Sequence, residues 1–508
     1  MKPNPDAQRS PYHSMLIRTS SLWSLLSLLF LSACGDTPTS ATKPEPISAT
    51  TVEAWLAVMD QGDYAKSWEL AGEGFRKQVT KVNWVAMSQQ VRQPLGSLIS
   101  RKVKSTQQTD KLPEMSRGSY FVAVFDTSFA ELAAATETVI FAKEKNDQWK
   151  AAGYLITPRN SDDAVTSLLE PIRQKHSVPA IAAAVVTSDG IQFVGVVGVR
   201  KRGTDIAATL DDRWHLGSDT KAMTSTLIAK LVERGQLKWD TTMAEVFPDL
   251  APKMHADFQK VTVTQLLSHY AGLPPNLTLS RYVGDDVVAL RLRAVREELA
   301  KKPQSTPGTS YKYSNLGYII VGAVVEKVTG KTWEQLMTSE IFEPLKMKSV
   351  GFGGTGTPGQ IDQPWPHTAD GKPTAQNGPA MDNLPVMGPA GRVHCTIQDW
   401  AKFIQDQLRG ARGEAALLKP EAYQTLHTAT FGGDYALGWS VAERSWGGGK
   451  VLNHAGDNTM NFANAWIAPK RDFAIIACVN QSGKAAFTVT DEVIVALMNL
   501  INEKQRKE

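Results

Sequence analysis

Residues 214–236 read WHLGSDTKAMTSTLIAKLVERGQ, and how the serine in this stretch is read decides the fold. After Ser218 the apolar residues Met223, Leu227, Ile228 and Leu231 recur with a helical period, and Gly235 closes the helix. Ser218 therefore stands at a helix N-terminus with Lys221 one turn on, on the same face. A serine hydroxyl is a weak nucleophile at neutral pH and needs a base beside it. A lysine whose charge is made costly by burial or by nearby cations can serve. The N–H groups at the helix start face developing negative charge. A capping serine accounts for Ser218 but not for Lys221, and Gly217 suits a tight turn where a substrate approaches the backbone. Spacing alone is a weak guide, because Ser40-Ala41-Thr42-Lys43 repeats it in a polar stretch. At this level the nucleophile and the helix cap both remain open.

Composition narrows the setting. A chain of 508 residues, 42% apolar and 21% charged, exceeds one ordinary core, so two or three domains are expected. The net charge of +4 comes from Lys and Arg scattered among Asp and Glu, which argues against a nucleic-acid partner. Cys34, Cys395 and Cys478 are too few and too far apart for a disulfide framework or a zinc cluster.

Residues 1–34 read as an address. Arg18, the apolar run Leu22 to Leu31 and the small residues leading into Cys34 resemble a bacterial lipoprotein signal. The run is too short to span ~30 Å of hydrocarbon. The resemblance implies cleavage before Cys34 and acylation of that cysteine, and two or more chains hold a protein firmly to a bilayer. Gly35 rather than Asp after the cysteine points to the periplasmic face of the outer membrane. The polar residues before Met15 make that methionine an alternative start. Residues 35–48, with three prolines and no apolar periodicity, read as a flexible tether.

Residues 49–157 form a small α+β domain. Helices are expected around Trp55, from Tyr64 to Phe75 and from Trp84 to Val91; strands are expected at Tyr120–Phe125, Thr138–Phe141 and Trp149–Ile156, the last two joined as a hairpin across Asn146-Asp147. The pattern GDYAKSWELAGEGFRKQV resembles a small bacterial domain of unknown function. Its aromatic residues read as an ordinary core rather than a pocket.

Residues 163–505 hold the chemistry. Strands at Ile181–Thr187 and Gln192–Gly198 flank the turn Ser188-Asp189-Gly190. Tyr313-Ser314-Asn315 precedes an apolar helix, Leu316 to Val328, capped by Gly330, and His454-Ala455-Gly456 lies ahead of strand-like runs at Phe462–Ile467 and Phe473–Val479. The order Ser-x-x-Lys, Tyr-x-Asn, His-x-Gly resembles the serine β-lactamase and penicillin-binding family, in the branch of class C lactamases, D-alanyl-D-alanine carboxypeptidases and esterases. The stretches VTVTQLLSHYAGLP, YSNLGYIIVGAVVEKVTG and PAGRVHCTIQDWAKFIQ carry the same resemblance.

The resemblance implies an α+β, two-lobed fold. An antiparallel sheet is flanked by the first and last helices, including Ala486–Ile501, and residues 237–430 form an inserted helical lobe. It implies that Ser218 attacks a carbonyl to give an acyl-enzyme and that Tyr313, as a phenolate beside Lys221, shuttles the proton. Asn315 holds Lys221 or a substrate amide, and the N–H groups of Ser218 and Asp457 form the oxyanion hole beside Gly456. No metal or cofactor is needed. His454 stands where class C lactamases carry the lysine of Lys-Thr-Gly, which favours an esterase or peptidase. Asp457 threatens anionic substrates unless its side chain turns away. Met460-Asn461 replaces a frequent Pro-Gly, with Asn461 able to take a left-handed backbone. The Gly- and Pro-rich loop from Gly351 to Pro389 is expected to roof the site.

Other residues take plainer readings. His215 belongs to the strand feeding Ser218, His269 packs and hydrogen-bonds, Gly330 caps a helix, and Cys395, Cys478 and Trp439 are core. The expected function is an envelope-anchored serine hydrolase acting on an ester or amide, with a small-molecule or peptidoglycan-like substrate. A D-alanyl-D-alanine carboxypeptidase or class C-like β-lactamase is the alternative. A non-catalytic lipoprotein binding peptidoglycan fragments is a third reading, which the pairing of a nucleophile with its base disfavours.

Overall fold

The computed structural model describes residues 47–507 except 113, 114, 116, 131, 133, 134, 159–162, 376 and 415; Cys34 and the expected signal and tether up to residue 46 lie outside the described residues. The chain divides into two compact units, Met1–Arg159 and Asn160–Glu508.

The first unit runs α1 (Ala49–Asp60), α2 (Tyr64–Leu70), α3 (Glu73–Gln78) and α4 (Lys81–Arg92), then the antiparallel strands β1 (Leu98–Thr109), β2 (Tyr120–Phe129), β3 (Ala135–Lys143) and β4 (Trp149–Pro158) in the order β1-β2-β3-β4. Tyr64 to Phe75 is two helices rather than one. The chain breaks at Ala71-Gly72, where the Gly72 N–H donates to the Ala151 carbonyl at 2.8 Å and joins the helices to β4. Strand β1 carries no apolar alternation and lies at the sheet edge, exposed along most of its length, so period-2 reading misses it. Trp55, Trp84, Phe121 and Phe125 are buried together. Behind them Arg92 and Arg101 each pair with both Asp60 and Glu137.

The second unit is built on a six-stranded antiparallel sheet in the order β10-β11-β12-β13-β5-β6. Its strands are β5 (Ala180–Thr187), β6 (Gly190–Gly198), β10 (Ser440–Arg444), β11 (Gly449–Asp457), β12 (Phe462–Ala468) and β13 (Phe473–Val479). Both faces are covered, so the central strands are apolar throughout rather than alternating with polar residues. On β13, Phe473, Ile475, Ala477 and Val479 face α5 (Asp163–His176) and the last helix, Gly483–Lys507, while Ala474, Ile476 and Cys478 face the larger core around α6 (Thr220–Glu233). The last helix is long and apolar enough by composition to cross a membrane, yet Val489, Val493 and Leu497 are fully buried in the core on the sheet. Each such side chain stabilises the unit by ~1.5–3 kcal/mol.

Between α6 and β10 the chain forms a mostly helical lobe. Its central helix, Asn315–Thr329, is buried from Leu316 to Glu326; Ser314 caps its start through the Gly317 N–H, and Gly330 ends it at φ +71°. The lobe also carries β8 (Gly351–Phe352) and β9 (Val393–Thr396), which with β7 (Arg213–His215) make a small sheet ordered β7-β9-β8. Pairing of Trp214 with Cys395 and of His215 with His394 ties the lobe to the segment that leads into Ser218.

Candidate active site

Ser218 lies in a single 3-10 turn, Gly217–Asp219, that runs directly into α6. The turn is set from both sides. The His215 imidazole accepts the Gly217 N–H at 3.0 Å through Nδ1 and pairs with Asp382 at 2.6 Å through Nε2. From the sheet side β11 presses against it: a Cβ at Gly456 would lie 1.9 Å from the Leu216 carbonyl, and one at Gly217 would lie 2.8 Å from the Gly456 backbone. Gly217, at φ +51°, is required by the neighbouring strand, whose backbone leaves no room for a side chain there. The same contact brings two amides together, because the Cβ positions at Gly456 and Gly217 lie 2.7 Å from Ser218 N and 2.9 Å from Asp457 N.

Ser218 Oγ touches both partners expected for it. Lys221 Nζ is 2.9 Å away, and the Tyr313 hydroxyl donates to Oγ at 2.8 Å. Lys221 Nζ also donates to Asn315 Oδ1 at 2.8 Å and to the Ala390 carbonyl at 2.6 Å. Asn315 in turn donates to Asn276 Oδ1 at 2.8 Å. Lys221 is fully buried, beneath the rings of Tyr313 and Tyr318 at 4.8 and 5.4 Å. Burial pushes its amine well below the ordinary lysine range, opposed by the charge of Asp219. Burial pushes the Tyr313 phenol upward, only partly offset by its bond to Ser218. Both directions run against the expected Tyr313 phenolate, because burial favours the protonated phenol and the uncharged amine.

Asn315 Oδ1 and the Ala390 carbonyl can only accept, and with Ser218 Oγ they take the three N–H groups of Lys221. Ser218 Oγ accepts from both Lys221 and Tyr313. A neutral amine would keep the first two bonds and turn its lone pair to the Ser218 hydroxyl, the arrangement that attack on a carbonyl requires.

His454, on β11, is buried and meets the Tyr435 hydroxyl through Nε2 at 2.9 Å, while its Nδ1 has no hydrogen-bond partner. Burial, with the Lys221 charge adding to it, pushes its imidazole down to about 3, so it is neutral at pH 7. His269 sits at φ +67°, accepts the Ser314 N–H at 3.1 Å and packs its ring 4.3 Å from that of Tyr313. It is a packing residue against the Tyr313 ring. The Asp457 carboxylate turns away from the site, accepting the Ser482 hydroxyl at 2.7 and 2.9 Å and the Thr459 N–H. The left-handed residue beyond it is Thr459, at φ +71°, not Asn461 as expected; Asn461 instead donates its N–H to Asn458 Oδ1 at 2.7 Å.

Ser218, Lys221, Tyr313 and Asn315 thus join in one hydrogen-bonded chain, with His454 held beside it by Tyr435. The loop from Gly351 to Pro389 is tied to the rest of the unit through Trp365 and His367, whose N–H groups donate to the Arg200 and Met460 carbonyls. Just past its end the Ala390 carbonyl reaches Lys221. Sequence reading missed Ala390, Asn276 and Tyr435. A backbone carbonyl has no side-chain signature, although the glycines around Pro389-Ala390 are the mark of a closely packed turn.

A nucleophilic serine at a helix start, backed by a buried lysine and a neutral tyrosine where a sheet meets a helical lobe, defines a serine hydrolase. The family model described as Beta-lactamase matches residues 165–498. The chain belongs to the beta-lactamase family. A second model, a protein of unknown function (DUF4019), matches residues 51–154. Penicillin-binding protein 4 of Amycolatopsis lactamdurans is 30% identical over 335 residues, 63% of this chain and 86% of the relative. Protein flp of Staphylococcus aureus (strain MW2) is 21% identical over 346 residues, 67% of each chain. Among solved structures, D-alanine carboxypeptidase AmpC from Burkholderia cenocepacia aligns with a TM-score of 0.53 at 21% identity, over 66% of this chain and 98% of that one. The octameric penicillin-binding protein homologue from Pyrococcus abyssi aligns at 0.54 and 21%, over 66% and 76%. These structural likenesses establish the fold.

Proposed function

We propose that the protein hydrolyses an ester or amide through an acyl-enzyme on Ser218. Lys221 takes the Ser218 proton as Oγ attacks the carbonyl carbon. The N–H groups of Ser218 and Asp457 meet the oxyanion, where one donor typically lowers the barrier by ~3 kcal/mol. Tyr313 gives its proton to the leaving group and is reprotonated from Lys221. Water then enters as the second nucleophile and the same groups run in reverse. The observation that carries this reading is the position of Ser218 Oγ between Lys221 Nζ at 2.9 Å and the Tyr313 hydroxyl at 2.8 Å.

The neutral His454 favours substrates without a carboxylate at that end, since no cation from the third motif meets one. A second reading, a penicillin-recognising D-alanyl-D-alanine carboxypeptidase or β-lactamase, draws on the 30% identity to penicillin-binding protein 4. A fluorescent phosphonate and a fluorescent penicillin, each applied to wild type and Ser218→Ala, separate the two. Ser218-dependent labelling by phosphonate alone supports the esterase or peptidase, and labelling by both supports the second reading. Labelling by neither overturns catalysis.

The place of action is proposed from the sequence alone: acylated Cys34 anchors the chain in the bacterial envelope, at the periplasmic face of the outer membrane. Incorporation of an alkynyl fatty acid into wild type but not Cys34→Ala tests it.

A further inference from the structure

His215 does more than end β7. Its Nδ1 accepts the Gly217 N–H at 3.0 Å, and a backbone amide can only donate, so Nδ1 carries no proton and the ring proton is on Nε2. The same peptide is held at its other end, where the Leu216 carbonyl accepts the Asp219 N–H at 3.1 Å. Gly217, at φ +51°, has no side chain to restrict it, so these two bonds fix the peptide that leads into Ser218.

What keeps the proton on Nε2 comes from the loop that precedes Pro389. Asp382 sets its Oδ1 2.6 Å from His215 Nε2, with the two side chains 4% and 1% exposed. Among the described residues neither atom has a hydrogen-bond partner elsewhere. The second oxygen, Asp382 Oδ2, accepts from Arg392 Nε at 2.5 Å. His394, the register partner of His215 on β9, is engaged with the Gly353 carbonyl, 2.9 Å from its Nδ1, and does not compete. Asp382 therefore stands between two donors, the guanidinium and the imidazole N–H. A carboxylate accepts from both at once, whereas an amide in its place offers an oxygen to one and an NH2 to the other.

We propose that Asp382 is a positioning residue for the nucleophile: anchored by Arg392, it selects the tautomer of His215 that holds the peptide leading into Ser218 and its oxyanion amide. This rests on the assignment of Ser218 made above. With the ring proton on Nδ1 instead, two donors face each other at Gly217, and the turn must shift or leave the amide unpaired. Asp382 acts through His215 and takes no proton from the substrate.

The test exchanges the carboxylate for an amide of the same shape. In Asp382→Asn the charged Arg392 takes the amide oxygen, which leaves the NH2 facing His215 Nε2 and drives the ring proton to Nδ1. Labelling of Ser218 by a fluorescent phosphonate is expected to slow by ~10²-fold. Adding Arg392→Met removes the competing donor, so the amide can turn its oxygen to the Nε2 proton, and most of the lost rate is expected to return. Lost packing alone would deepen with the second substitution rather than recover. A folded Asp382→Asn chain labelled at the wild-type rate overturns the proposal, and so does a folded double variant no faster than the single one. Should either variant not fold, ring-nitrogen NMR of His215 in the wild type decides: a proton on Nε2 with a bare Nδ1 supports the proposal, and a proton on Nδ1 overturns it. Labelling that persists in Ser218→Ala would instead overturn the nucleophile assignment itself, a failure that leaves the His215 tautomer as it is.

Discussion

The Tyr435 hydroxyl lies 2.9 Å from His454 Nε2, and this contact, not a charge, fixes what the third motif presents beside Ser218. Tyr435→Phe removes the partner and leaves a second buried ring nitrogen unpaired. The expected result is a loss of about 1–3 kcal/mol in stability by urea unfolding, with phosphonate labelling of Ser218 retained.

Tyr313→Phe leaves the Ser218 to Lys221 contact in place and removes only the proton donor. Turnover is expected to fall by ~10²-fold or more for esters with poor leaving groups and much less for activated aryl esters, which leave without protonation. Steady-state rates across a leaving-group series check this. An equal fall across the series would assign the phenol to activation of Ser218 instead.

Lys221→Met fills the same buried space without a base. Labelling of Ser218 at neutral pH is expected to drop by ~10²–10⁴-fold, while thermal stability is unchanged or higher because a buried amine has been replaced by an apolar chain. The folded amine has a lowered proton affinity, so between its folded pKa and that of the unfolded chain the unfolded state binds more protons, and wild-type stability rises with pH. The gap between variant and wild type should therefore narrow as pH increases through that window.

Gly456→Ala places a methyl group 1.9 Å from the Leu216 carbonyl. Either β11 or the Ser218 turn must move, separating the two amides at the expected oxyanion position. A lowered unfolding midpoint together with slowed Ser218 labelling is expected. Labelling at the wild-type rate would show that the amides need not be held so tightly.

Acid should weaken the second unit in a defined range. Burial pushes His454 and His427 down to about 3 and His367 and His394 down to about 4. Below the ordinary histidine value near 6.5 the unfolded chain takes up protons that these folded imidazoles refuse, so stability falls as pH drops from about 6.5 towards 4. Each group contributes on the order of 1–2 kcal/mol between pH 6.5 and 5. Urea unfolding of His427→Asn, a site far along the chain from Ser218, should show a shallower pH slope than wild type.

Much of the architecture was legible without coordinates. The helical period after Ser218, the cap at Gly330 and the strand pairs around Ser188-Asp189-Gly190 and Asn146-Asp147 are local patterns, written by rotation per residue and by turn chemistry. Strand β1 and the break at Gly72 were not legible, because one is a polar edge and the other answers to a strand almost eighty positions away.

The same division runs through the site. Residue types and order, through the family resemblance they carry, singled out Ser218, Lys221, Tyr313, Asn315 and His454, and the fold brings the first four into one hydrogen-bonded chain. What acts on each proton was legible only in the tertiary structure. Burial beneath Tyr313 and Tyr318 lowers the proton affinity of Lys221, and desolvation belongs to the packed surroundings of a residue rather than to its name.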